Sequence, residues 1–266
     1  MQIIIKRYNK GIEREVPIMS KILESKNLCK TYYSNDVEFH ALKNVNLEIN
    51  QGEFVAIMGK SGSGKSTLLY TLSGMDEITG GEVFLKDKRI NNLKEKEMTK
   101  IRRNNIGFIF QGINLVSNLT LKENVLVPGY LATKSKEDVN ERANELLDKM
   151  EISDQIDKLP SQVSGGQKQR AAIARAMINN PDIIFADEPT GALNSSSSKA
   201  VLDLLKSFNN DGQTVVMVTH DTKSASYANR VVFLKDGRIE GELDLKKYQT
   251  NNQEKVIFDF LSEKGW

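Results

Sequence analysis

The sequence predicts an α/β protein with a mostly parallel sheet, an antiparallel β side sheet and an inserted α-helical subdomain. Three observations carry this. Short unbroken apolar runs, such as Phe54, Val55, Ala56, Ile57 and Met58, read as strands buried on both faces of a parallel sheet. Stretches 26–49 and 82–90 instead alternate apolar and polar positions, with Val45, Leu47 and Ile49 on one side, as antiparallel strands with one wet face do. Between 91 and 162 the spacing turns helical, with Val139, Ala143, Leu146, Leu147 and Met150 recurring on one face.

Residues 1–21 read as a disordered leader: an apolar trio without the longer uncharged core of a secretion signal, with Met19 a candidate for the biological start. After the strand at 54–58 comes Gly59, Lys60, Ser61, Gly62, Ser63, Gly64, Lys65, Ser66 and Thr67, which fits the phosphate-loop pattern of G, four residues, G-K-S. Thr67 to Leu72 reads as the helix that follows. Glycines at 59, 62 and 64 permit torsions that turn successive N–H groups toward a phosphate tail, beside the positive helix end. Lys65 is placed to reach the β- and γ-phosphates, and Ser66 to offer its hydroxyl to Mg2+. The core implied is that of a P-loop NTPase.

A second buried strand, Ile106 to Phe110, ends at Gln111. Ser164, Gly165, Gly166 and Gln167 open a further helix; Ser164 and Gln167 have capping-box spacing, and a glycine-rich helix start also attracts anions. Ile183, Ile184, Phe185 and Ala186 form a third strand that delivers Asp187 and Glu188 to the carboxyl edge of the sheet, where open α/β folds hold ligands. Asp187 is placed to hold Mg2+ through its water shell, and Glu188 to orient and deprotonate an attacking water. A fourth strand, Val215 to Thr219, ends at His220. Val231 to Leu234 and Arg238, Ile239 then flank an Asp236-Gly237 hairpin turn. The tail, 246–266, carries Val256, Ile257, Phe260 and Leu261 at helical spacing, a stripe expected to pack on its own chain.

Composition narrows the function classes. The 266 residues suffice for one large domain with a subdomain. With 37 basic against 35 acidic side chains there is no electrostatic footprint for nucleic acid. Cys29, the single cysteine, cannot form an internal disulfide and reads as a small buried hydrophobe. No apolar run approaches the roughly 20 residues that span a bilayer, so direct bilayer insertion is not expected.

Taken together, the loop at 59–67, the segment 163–170 and the strand-end pair at 187–188 resemble the ATP-binding subunit of ABC transporters, with Walker A, signature and Walker B motifs in that family's order over 22–245. The resemblance implies an ATP hydrolase using ATP and Mg2+, with a helical subdomain over about 91–165. It implies that Gln111 touches Mg2+ and the attacking water, that His220 contacts the γ-phosphate, and that adenine stacks on Tyr32, with Tyr33 the substitute. It implies that Ser164, Gly165, Gly166 and Gln167 face ATP held by a second copy, so that two subunits sandwich two nucleotides. One position departs from the pattern: Asn194 follows Gly191, Ala192 and Leu193 where the family has aspartate. IIFADEPTGAL, MVTHD and FLKDGRI resemble the bacterial group of macrolide exporters, lipoprotein-releasing systems and peptide-antibiotic resistance transporters, and GFIFQ, SGGQKQR and ASYANRV its bacitracin-type branch. The implied partner is a separately encoded integral membrane permease, which the subunit, cytoplasmic and peripheral on the inner face of the membrane, powers for antimicrobial-peptide resistance or export. Two alternatives share the same ATPase residues: a regulatory ABC ATPase transmitting force through a membrane partner to an extracellular effector, and a lipoprotein-release ATPase.

Overall fold

The computed structural model describes residues 4–9, 12–17, 20–34, 37–132, 135–248 and 252–266. In chain order, β1 (Ile4–Asn9) and β2 (Ile12–Pro17) precede β3 (Lys21–Ser34), β4 (Val37–Asn50), β5 (Phe54–Met58) and α1 (Lys65–Leu72). There follow β6 (Gly80–Leu85), β7 (Lys88–Arg89), α2 (Glu95–Asn105), β8 (Ile106–Ile109), α3 (Leu121–Leu131), α4 (Lys136–Lys149) and α5 (Gly165–Met177). The chain continues through β9 (Ile183–Asp187), α6 (Ser195–Asn210), β10 (Thr214–Val218), α7 (Thr222–Ala225), β11 (Arg230–Lys235), β12 (Arg238–Asp244) and α8 (Gln253–Glu263).

The central sheet has the order β12-β11-β5-β10-β9-β8, parallel throughout except for the edge strand β12. β5, β9 and β10 are buried at every position, as continuous apolar runs require when both faces are covered. Side-chain alternation sends Phe54, Ala56 and Met58 to one core and Val55 and Ile57 to the other. The first core is shared with α3 to α6 and α8, the second with α1 and the side sheet β4-β3-β6-β7. In β4, Val45, Leu47 and Ile49 are buried while Asn46 and Glu48 face water.

The stretch expected to be helical over 91–165 is interrupted by β8, which belongs to the central sheet; α3, α4 and α5 pack on one another beyond it. Val139, Ala143, Leu146, Leu147 and Met150 are buried, as their spacing predicts. The β11–β12 turn has Asp236 and Gly237 both at positive φ, 48° and 78°, the demand of a two-residue hairpin turn. On α8, Ile257 and Leu261 are buried against the first core, so the tail stripe does pack on its own chain.

Within the stretch expected to be a disordered leader, β1 and β2 pair antiparallel in a separate two-stranded sheet, consistent with the β-favouring Ile4, Ile5, Tyr8, Ile12 and Val16; Met19 lies outside the described residues. Cys29 is half-buried rather than a buried apolar plug, because Asn44 donates its N–H to the sulfur at 3.3 Å and offers it a side-chain oxygen at 3.2 Å. Among the described residues, no helix is long and apolar enough to cross a membrane.

Candidate functional site

β5, β8, β9 and β10 all end on the same edge of the sheet, and the loops that leave them line one cleft of about 750 Å³. Its floor is the loop from Gly59 to Thr67, with only Ser63 turned away from the cleft and buried. Two glycines there are sterically required. A Cβ at Gly59 would collide with the Leu234 carbonyl, and Gly64 sits at φ 100° with the Ala41 carbonyl 2.6 Å from where a Cβ would lie. The loop is also braced from outside, since Gly237 N–H donates to the Ser63 carbonyl at 3.0 Å.

α1 starts at Lys65 with Gly64 as its cap residue, so no side chain closes its first turn and no acid sits in it. The free N–H groups and positive dipole end therefore point at the cleft. The Lys65 ammonium is curled back, donating to the carbonyls of Gly59 at 2.8 Å and Lys60 at 2.9 Å. Burial pulls its pKa down, opposed by Asp187 and Glu188. Behind the loop, Ser66 donates to Asp187 Oδ1 at 3.0 Å and Tyr70 to Asp187 Oδ2 at 3.0 Å. Burial, and then the Asp187 charge, push the Tyr70 hydroxyl up to about 12.

The sequence reading missed Tyr70. It lies four residues after Ser66 on the same helix face, and that spacing was the available signal. Its ring stacks on Phe108, which in turn stacks on Phe185, so the strands that carry the site also fix the phenol.

Glu188 joins three strand ends. His220 Nδ1 lies 2.9 Å from its Oε1, and Gln111 Nε2 donates to its Oε2 at 3.4 Å. An ionised carboxylate only accepts, so Nδ1 carries the imidazole hydrogen in this pair. Glu188 holds a left-handed backbone, φ 44°, secured by its N–H donating to Val218 and its carbonyl accepting from Gly191. The carboxylate thus borders the cleft between an amide and an imidazole, the position a water-activating base needs.

Ser66 and Asp187 offer a hydroxyl and a buried carboxylate already in contact, with the Gln111 amide across the cleft. These hard oxygen donors, few in number, fit Mg2+, which keeps several waters and takes only one or two protein ligands.

Not every predicted residue meets at the cleft. Tyr32 is outside its lining; the Tyr32 hydroxyl donates to Asp76 at 2.7 Å and the Lys30 ammonium sits 4.7 Å from the ring centre. Phe39, its partner across the β3–β4 ladder, lines the rim with Ala41. Ser164 and Gly165 are exposed at the start of α5, away from the cleft, with the capping box closed: Gln167 N–H donates to Ser164 Oγ and Ser164 N–H to Gln167 Oε1. Gly166 packs on Ser197, whose N–H is capped by Asn194 Oδ1 at 2.9 Å. Asn194 thus keeps the acceptor role of the aspartate it replaces and loses only the charge.

A cleft floored by this loop and closed by these strand ends defines a nucleotide-hydrolysing cassette. The chain belongs to the ABC transporter family: the family model for ABC transporters matches residues 42–191. It is an ATP-binding subunit of that family, a cassette ATPase. Among similar proteins is the uncharacterized ABC transporter ATP-binding protein MJ0796 of Methanocaldococcus jannaschii, 48% identical over 232 residues, covering 85% of this chain and 99% of the relative. The bacitracin export ATP-binding protein BceA of Halalkalibacterium halodurans is 44% identical over 223 residues, 84% of this chain and 88% of the relative. The dimeric structure of a post-hydrolysis state of the MJ0796 cassette bound to ADP and Pi superposes with a TM-score of 0.79 at 47% identity, covering 84% of this chain and 98% of that one.

Proposed function

We infer that this cassette binds MgATP at the 59–67 loop, pairs with a second copy across the nucleotide, and powers an integral membrane permease for antimicrobial-peptide resistance or export. The observation that carries the reading is the start of α1, where an uncapped helix end, a curled Lys65 and the Ser66–Asp187 contact converge on one cleft. The loop N–H groups and Lys65 bind the phosphates; Lys65 gives up its two carbonyl bonds for phosphate oxygens, a stronger charged partner. Ser66, Asp187 and Gln111 would hold Mg2+, which when bound neutralises charge on the phosphate oxygens. Glu188 orients a water and takes its proton, and His220 and Gln111 set the direction of that carboxylate. Similarity to the bacitracin export protein supports the cargo class. Two features support a peripheral position on the inner face of the membrane: membership of a transporter family, and no membrane-crossing helix among the described residues. Tyr32, held by Asp76 and Lys30 beside the Phe39 rim, supplies a ring face for adenine.

The test is Glu188→Gln. ATP affinity should stay close to wild type while turnover falls about 10²–10⁴-fold, the worth of a positioned base. Wild-type turnover in this variant would remove Glu188 from the role.

A further inference from the structure

The tail helix does more than cover the core. α8 is anchored by Ile257 and Leu261, and the turn beyond it carries Trp266 back to the lining of the nucleotide cleft. Three contacts fix the indole there. Its ring packs on Phe233 at a centroid distance of 6.0 Å, the Trp266 backbone N–H donates to the Leu261 carbonyl at 3.0 Å, and Lys235 Nζ reaches the Lys264 carbonyl at 3.4 Å. Phe233 pairs across the sheet with Met58, the residue before Gly59, so the indole stands beside the first turn of the phosphate loop. The family match ends at 191, well before this helix. A large apolar ring left half-exposed on the wall of a cleft lined by Lys60 and Lys65 has an unused face and one N–H donor.

We propose that Trp266 is a nucleotide-contacting residue: its indole forms a wall of the cleft on the β11 side and packs against a nucleoside di- or triphosphate held by the loop. This rests on the ATP reading above and adds a contact from outside the family match. A ligand gains from such a wall because the ring is already fixed by Phe233 and the α8 turn and loses little freedom on contact.

Trp266 is the only tryptophan of the chain, so its emission can be followed in the unmodified protein. The full chain is titrated with ADP and, separately, with ATP, and binding is measured in parallel by calorimetry. Both nucleotides should shift the emission and shield the indole from acrylamide over the concentration range in which calorimetry shows binding. Trp266→Ala should weaken both nucleotides about fivefold, the worth of one well-placed ring contact, and Trp266→Phe should recover most of that. Calorimetric binding with emission and quenching unmoved overturns the proposal and leaves the ATP reading standing. So does an emission change seen with ATP in Glu188→Gln but never with ADP, because the indole then reports on a second copy. No calorimetric binding of either nucleotide sinks the ATP reading, and this contact with it.

Discussion

Two helices of this molecule open on glycine-rich loops, and their first turns are finished in opposite ways. At α1 the cap residue is Gly64, with no side chain to offer, and the positive helix end is left facing the cleft. At α5 the cap residue is Ser164, which closes a reciprocal box with Gln167 on the exposed surface. A helix start without a cap is a local cost that a bound anion removes. The first is therefore a site that a single chain completes with a ligand. The second is already satisfied within its own chain, yet a serine oxygen that accepts from Gln167 still has its hydroxyl hydrogen to give. This fits a surface that meets phosphate only when another molecule brings it.

Substitutions at the two helix starts should act differently. Lys65→Ala removes the cation at the open start and should weaken ATP binding roughly 100-fold, the scale of a buried charged contact; unchanged affinity in a filter or fluorescence titration would erase the distinction. Ser164→Ala acts on the closed start. It should cost about 1 kcal/mol of stability through the lost cap, read by urea denaturation, with ATP affinity of the single chain unaltered and turnover at high protein concentration reduced. If it weakened single-chain binding as Lys65→Ala does, α5 would belong to the same cleft. The smallest effect is expected one helix further on. Asn194→Asp exchanges equal caps at the start of α6, whose first turn holds no acid, so the added charge should stabilise by only about 0.3 kcal/mol. A large change in either direction would show that the side chain does more than cap.

How much of this was legible in the chain follows from the range of the forces involved. The phosphate loop, the Asp187–Glu188 pair, Gln111 and His220 were readable because each closes an apolar run, and a parallel sheet sends every such run to the same edge. Helix α4 was readable from its spacing, since Val139, Ala143 and Leu146 must share a face. What stayed hidden depends on distant contacts. That Tyr32 is held by Asp76, 44 positions on, and that Phe39 lines the rim beside it, follows from how β3 and β4 lie against α1. Trp266 gave no local signal, because its place depends on α8 docking against β11 from the far end of the chain. Cys29 was misread for the same reason: the Asn44 groups that bind its sulfur come from the neighbouring strand.

The left-handed backbone of Glu188 has a consequence beyond the chemistry it serves. Asparagine and glycine adopt that conformation with less strain than glutamate does. A lineage released from the need to turn over would find those residues easier to fold at this turn, and would lose its carboxylate as it gained heat resistance. Screens that reward melting temperature alone would select against the engine at this one residue.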